Sequence, residues 1–282
     1  DELLAILTRK ARADGVHLPW QVKVAIVDRL AKRRALPHFG NAGALMTAWS
    51  DVKRQHSARL LAGGGDGALD RNVSLVDLPQ RDGAAAGDPL SLLDDLVDTG
   101  SGLGSHMREL AARVRLRQRE GRPLSDLIGH FIFTGAPGTG KTVSARKLAA
   151  LLHSFGVLAT DHVEVTSGND LTGEYVGQSK TKVGEVMSRA RGGVLFVDEA
   201  YALGGGPYGV EAMEKLLGML TEPEYMDGKT VVVLAGYKDE MHRMLDANVG
   251  LKSRFTEFVH FGDWSPKQCT ELVQKAAADS VP

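Results

Sequence analysis

Residues 130–142 read His130-Phe-Ile-Phe-Thr-Gly-Ala-Pro-Gly-Thr-Gly-Lys-Thr142, an apolar run that ends in a glycine-rich loop and opens the helical text KTVSARKLAALLHSF. The loop fits G-x-x-x-x-G-K-[ST] and sits in the strand–loop–helix context that the motif needs. Gly135, Gly138 and Gly140, with Ala136, Pro137 and Thr139 between them, let the backbone wrap its N–H groups around phosphate. The start of the following helix adds a dipole that favours negative charge. In that setting Lys141 neutralises β and γ oxygens. Thr142 offers a hydroxyl to Mg²⁺, which keeps most of its ligands as water and phosphate oxygen. The motif therefore predicts binding of ATP with Mg²⁺.

A second motif follows downstream. Val194-Leu-Phe-Val-Asp-Glu199 is an apolar run that delivers two carboxylates. A buried strand of this kind presents Asp198 and Glu199 at its carboxyl end, where ligands of open α/β sheets collect. Asp198 is expected in the Mg²⁺ shell and Glu199 as the group that polarises the attacking water, because in-line phosphoryl transfer needs positioning and charge stabilisation. Taken alone, apolar text ending in Asp-Glu is more often a solvated strand end; the phosphate loop upstream reverses that balance.

Five short apolar runs, at residues 130–134, 163–167, 194–197, 231–235 and 258–261, alternate with segments able to hold crossover helices. This pattern predicts an α/β P-loop NTPase fold with a doubly wound, parallel five-stranded sheet. A further helix is expected from about His106 to Arg119. Its basic text, Arg108 to Arg122, reads as an amphipathic helix with a solvated cationic face. Ahead of this core, residues 1–62 carry Leu3, Leu4, Leu7, Val22, Ala25, Ile26 and Leu30 at helical spacing, a small all-helical unit. Between the two, residues 63–88 are rich in Gly, Ala and Asp and read as a flexible linker. The resulting division is helical unit 1–62, linker 63–88, core 89–264 and the start of another helical unit at 265–282.

Composition narrows the function classes. Lys and Arg total 34 against 35 Asp and Glu, so global charge argues for neither a duplex nucleic acid nor an anionic membrane as partner. The single cysteine, Cys269, rules out an internal disulfide framework and suits a reducing, cytoplasmic setting. No apolar run approaches the length of a membrane span. The histidines show no metal-ligand spacing, and His130 reads as a structural residue at a strand start.

Several stretches carry a family resemblance: GHFIFTGAPGTGKT, LTGEYVGQS, VLFVDEAYAL, VVVLAGYKDEM and GLKSRF. Together they resemble the AAA+ ATPases of the red-type Rubisco activase (CbbX) and sporulation protein K group. Residues 1–62 resemble the helical lid of such proteins, with PHFGNAGAL and DVKRQHSARLL in the corresponding places. The resemblance implies that Arg254 is an arginine finger reaching a neighbouring copy's ATP, and that Tyr175, in Gly173-Glu-Tyr-Val-Gly177, belongs to a pore loop gripping a protein client. It also implies self-association into a ring or a tandem-unit assembly. The order lid, linker, core, and the echo of Lys10-Ala-Arg-Ala-Asp14 in Lys275-Ala-Ala-Ala-Asp279 about 265 residues later, are expected of a fragment of a tandem-repeat member.

Two departures from the family pattern stand out. The polar sensor after the fourth strand is replaced by Ala235-Gly-Tyr-Lys238, leaving Tyr237 or Lys238 as sensor candidates. The lid carries Gly43 where the family commonly has Arg. The reading that emerges is an ATP hydrolase acting as an oligomeric protein-remodelling motor; the alternative is an ATP-gated scaffold or interaction module with little turnover. A nucleic-acid-acting unit ranks behind both.

Overall fold

The computed structural model describes residues 2–33, 41–62, 71–79, 90–91, 102–120, 122, 124, 127–175, 177–226, 228–270 and 273. Pro37–Gly40 of the lid text, most of the 63–88 stretch, Val176 of the Tyr175 loop and the Lys275–Asp279 echo lie outside the described residues.

The core is a five-stranded parallel sheet in the order β2-β3-β4-β1-β5. Its strands are β1 His130–Gly135, β2 Val163–Ser167, β3 Val194–Asp198, β4 Val231–Gly236 and β5 Phe255–Phe261. All five expected runs are strands, and β5 begins three residues before the expected Phe258. The early start has a packing reason: Phe255 is fully buried and pairs in register with His130.

Strand periodicity splits the apolar residues between two faces. Phe131, Phe133, Val194, Phe196, Val231 and Val233 enter one core cluster, while Ile132, Leu195, Val197, Val232 and Leu234 enter the other. Helices α4 (Leu103–Glu120) and α5 (Lys141–Ser154) fill the first cluster. The second takes α7 (Gln178–Arg189), α8 (Gly206–Met219), α9 (Lys238–Ala247) and Leu251 of α10 (Val249–Arg254); the four-residue α6 (Gly168–Leu171) adds Leu171. Covering both faces is what allows near-continuous Val, Leu and Phe runs in β1, β3 and β4. The doubly wound α/β expectation holds. In α4, Leu103, Met107, Leu110, Ala111 and Val114 form the buried stripe, so its arginines occupy the remaining face.

Helices α1 (Glu2–Ala13), α2 (Trp20–Arg33) and α3 (Asn41–Ala62) pack around Leu7, Val22, Ile26, Leu45, Trp49 and Val52. Asp14 ties this unit together, accepting from Trp49 Nε1 and Lys53 Nζ, each at 2.8 Å.

The linker expectation is corrected at residues 71–79. Val73 is buried in the helical core with Leu75 and Leu78 packed beside it. Asp77 is fully buried, accepts from Arg59 Nε at 2.6 Å and Nη2 at 3.0 Å, and caps the turn through the Ser74 N–H at 2.8 Å. Few large apolar residues occur in this stretch, but three are enough to dock it.

Candidate nucleotide site

The phosphate loop leaves the carboxyl end of β1, and its geometry follows from its glycines. Gly138 and Gly140 hold φ values of +76° and +93°, a left-handed backbone that side chains with a Cβ rarely adopt. Gly135 also resists substitution, since a Cβ there would lie 2.4 Å from the Phe261 carbonyl oxygen. Three loop carbonyls are held by side chains. Lys141 Nζ donates to the Gly135 and Ala136 oxygens at 2.8 Å each, Thr139 Oγ1 donates to Ala136 at 2.8 Å, and Trp264 Nε1 donates to Gly138 at 2.9 Å. Glycine-rich loops of this kind offer their backbone N–H groups to an anion.

Lys141 is buried, which lowers its pKa from the ordinary lysine value, while the nearby Asp198 carboxylate opposes that shift. The interaction brings the end of β3 into the field of the phosphate loop. The half-buried Thr142 hydroxyl and Asp198 carboxylate are hard oxygen donors of the kind Mg²⁺ takes, so the residues fit that ion. When bound, Mg²⁺ would neutralise charge on the phosphates. No helix among the described residues is long and apolar enough to cross a membrane.

Glu199 follows Asp198 in an unusual backbone. Its φ of +48° makes it the one non-glycine residue with positive φ among the described residues. Such a conformation costs on the order of 1 kcal/mol and persists only where surrounding contacts enforce it. Here the Glu199 N–H donates to Asp198 Oδ1 at 3.0 Å, and the turn packs on Gly168, where a Cβ would lie 2.5 Å from the Glu199 carbonyl oxygen. The exposed Glu199 carboxylate accepts from Asn169 Nδ2 at 3.3 Å. Asn169 was not singled out in the sequence. Its one signal is position: it follows β2, the strand beside β3, with Ser167 paired to Asp198.

Because β4 lies between β1 and β3, its carboxyl end stands between the phosphate loop and the acidic pair. Tyr237 and Lys238 directly follow that end. Tyr237 is 42% exposed, and its ring centroid lies 6.0 Å from that of Tyr201, a residue the sequence reading did not single out. Burial, followed by the negative charge of Glu199, pushes the Tyr201 phenol above its ordinary pKa. A cleft lined by Gly135, Ala136, Tyr237, Lys238, His260 and Asp263 adjoins the loop.

Arg254 is not part of this cluster. It ends α10 immediately before Phe255, which pairs with His130 at the amino end of β1, whereas the phosphate loop leaves the carboxyl end. Six residues of strand put these ends about 17 Å apart. Arg254 donates to the Gly250 carbonyl at 3.1 Å and, after burial, is the second cause holding His130 down to a pKa of about 4. His130 Nδ1 in turn accepts from the Val232 N–H at 3.2 Å, a structural role that needs the neutral ring.

Tyr175 is 72% exposed on a loop pinned at both ends. The Gly173 N–H donates to Ser179 Oγ at 2.9 Å, and the Gly177 N–H donates to Glu211 at 3.1 Å.

A parallel sheet carrying both phosphate motifs at its carboxyl edge, together with a helical unit, defines a P-loop ATPase of the AAA class. Family models agree: "ATPase family associated with various cellular activities (AAA)" matches residues 131–263, and "AAA lid domain" matches residues 1–88. The chain belongs to the AAA+ ATPases. Within them its relatives are CbbX-like. It is 41% identical over 187 residues to the chloroplastic ribulose bisphosphate carboxylase/oxygenase activase of Cyanidioschyzon merolae, covering 63% of each chain. It is 39% identical over 181 residues to Protein CfxQ of Xanthobacter flavus, covering 62% of this chain and 56% of that one. It is also 38% identical over 177 residues to the ESX-1 secretion system protein EccA1 of Mycobacterium tuberculosis, covering 61% and 30%. The chain thus spans less than two thirds of the length of these relatives.

Proposed function

We propose that this chain binds Mg-ATP and hydrolyses it as one protomer of an oligomeric protein-remodelling motor, with catalytic sites shared between copies. The observation that carries the reading is the separation of Arg254 from the cluster of Lys141, Asp198 and Glu199. An arginine about 17 Å away along the sheet is out of reach of its own phosphate loop, and it adjoins the edge strand β5, which supports a role toward a second copy. Lys141 and the loop N–H groups hold the phosphates, Thr142 and Asp198 hold Mg²⁺, and Glu199 orients and deprotonates water. Arg254 from a neighbour stabilises the charge that develops on the transferring phosphoryl group. Tyr237 and Lys238 are the sensor candidates. Tyr175, exposed on its braced loop, is the residue proposed to grip an unfolded segment of a protein client. Residues 1–88 are the lid and 89–264 the ATPase core, the lid belonging to a preceding unit of a tandem array.

Steady-state ATPase assays with and without EDTA, on the parent and on Glu199→Gln, test the reading. Turnover that needs Mg²⁺ and collapses in Glu199→Gln while ADP still binds supports it. Tight binding with no turnover in the parent would instead favour an ATP-gated scaffold.

A further inference from the structure

Two of the three tied carbonyls of the phosphate loop are held by the loop's own motif, through Lys141 and Thr139. The third is different. The Gly138 oxygen accepts from Trp264 Nε1 at 2.9 Å, a partner 126 residues away in sequence. The same indole lies over the next glycine: its Cζ2 is 3.9 Å from where a Cβ on Gly140 would be. Trp264 is half-buried in the short segment between β5 and the helical turn at 266–270. No phosphate-loop motif contains this residue.

The peptide that carries the Gly138 oxygen also carries the Thr139 N–H. Peptide planarity makes these two groups point in opposite directions, so a donor holding the oxygen on one side fixes the N–H on the other. Gly138, in the left-handed region at φ +76°, has the freedom to let this plane rotate, and rotation would turn the Thr139 N–H away from an anion. A hydrogen bond to the carbonyl also polarises the peptide and strengthens its N–H as a donor. Indole suits the task, because Nε1–H is a donor only and cannot compete for the loop N–H groups.

We infer that Trp264 is a positioning residue for the nucleotide phosphates: its indole N–H locks the Gly138–Thr139 peptide with the Thr139 N–H turned toward the phosphate, and its ring restrains Gly140. The inference rests on the nucleotide-binding reading above and adds a residue to that site from outside its motifs. It also ties the phosphate loop to the stretch by which the chain leaves the sheet, so a movement of that stretch reaches the loop through one hydrogen bond.

The test uses the full chain and N-methylanthraniloyl-ADP displaced by ADP. Trp264→Phe keeps an aromatic plane and removes the donor. It is expected to bind ADP about five-fold more weakly, the cost of one lost neutral hydrogen bond. Its melting temperature without nucleotide should stay within about 2 °C of the parent, because Trp264 is only half-buried and an aromatic ring remains. In ¹H–¹⁵N spectra the Thr139 amide should shift on ADP addition in the parent, and by less in Trp264→Phe. Equal ADP affinity and equal Thr139 shifts in the two proteins would overturn the inference while leaving nucleotide binding intact. Should Trp264→Phe not fold, the parent decides alone: the Trp264 indole N–H resonance, distinguished from those of Trp20 and Trp49 in the helical unit, must move when ADP is added, and a stationary resonance overturns the proposal. A parent that captures no labelled ADP would overturn the nucleotide reading itself, an outcome distinct from both.

Discussion

Asn169 and Glu199 meet side chain to side chain, the Asn169 amide donating to the Glu199 carboxylate at 3.3 Å across 30 residues of sequence. The contact gives the proposed catalytic base a partner that sets its direction. Glu199→Gln is expected to lower kcat by at least about 100-fold with nucleotide affinity retained, the usual scale for loss of a general base. Asn169→Ala should lower kcat by about ten-fold at unchanged ADP affinity, since misdirection costs less than removal. Combining the two should give no further loss beyond Glu199→Gln, because Asn169 acts through Glu199. Full additivity in this double-mutant cycle would separate the two residues.

Gly168 touches the same turn from behind. A Cβ there would lie 2.5 Å from the Glu199 carbonyl oxygen and 3.1 Å from the Ala202 Cβ. Gly168→Ala is expected to destabilise the core by about 2 kcal/mol through overpacking and to reduce kcat along with it.

Gly43 in α3 provides the opposite case, as a Cβ there meets nothing within 4 Å. Gly43→Ala should stabilise the helical unit by about 0.5–1 kcal/mol, through the unfolded chain's lost freedom and better helix propensity. Thermal melts of both variants beside the parent check the pair.

His130 makes core stability depend on pH. Burial first, then Arg254, holds its pKa down to about 4 from an ordinary 6.5, and its Nδ1 must stay unprotonated to accept from Val232. Between these values the unfolded chain binds a proton that the folded one refuses, so stability falls as pH drops from 6.5 toward 4. Melting temperatures across that window should decline in the parent. They should decline less in His130→Asn, whose amide oxygen can occupy the Nδ1 position without titrating. Identical slopes would remove His130 from the account.

The nucleotide motifs and the sheet were legible in the sequence because both are local. Glycine spacing, the lysine after the third glycine and the Asp-Glu pair at the end of an apolar run each sit within ten residues or so, and buried parallel strands announce themselves as unbroken Val, Leu and Phe. What stayed hidden depends on contacts between distant segments. Asn169 is one polar residue in a loop until β2 and β3 are paired with Ser167 against Asp198. Trp264 reads as an aromatic at a domain boundary until β5 brings Phe261 beside Gly135. The docked stretch at 71–79 was obscured by its surroundings: glycine and aspartate dominate the composition of 63–88, whereas Val73, Leu75 and buried Asp77 decide the packing. Tyr201 lies two residues past Glu199, and only its approach to Tyr237 brings it to notice.

The proposal that sites are shared between copies rests on Lys141 and Arg254 lying at opposite ends of the sheet, and complementation tests it most directly. Lys141→Ala and Arg254→Ala, each purified alone, should be nearly inactive, Arg254→Ala by about 10³-fold, the low end for an arginine finger. Mixed in equal amounts and allowed to exchange, they form pairs in which an intact Lys141 site meets an intact Arg254 from the neighbour. ATPase activity should then rise to a substantial fraction of the parent's. A mixture that demonstrably co-assembles yet remains as inactive as its components would contradict the account.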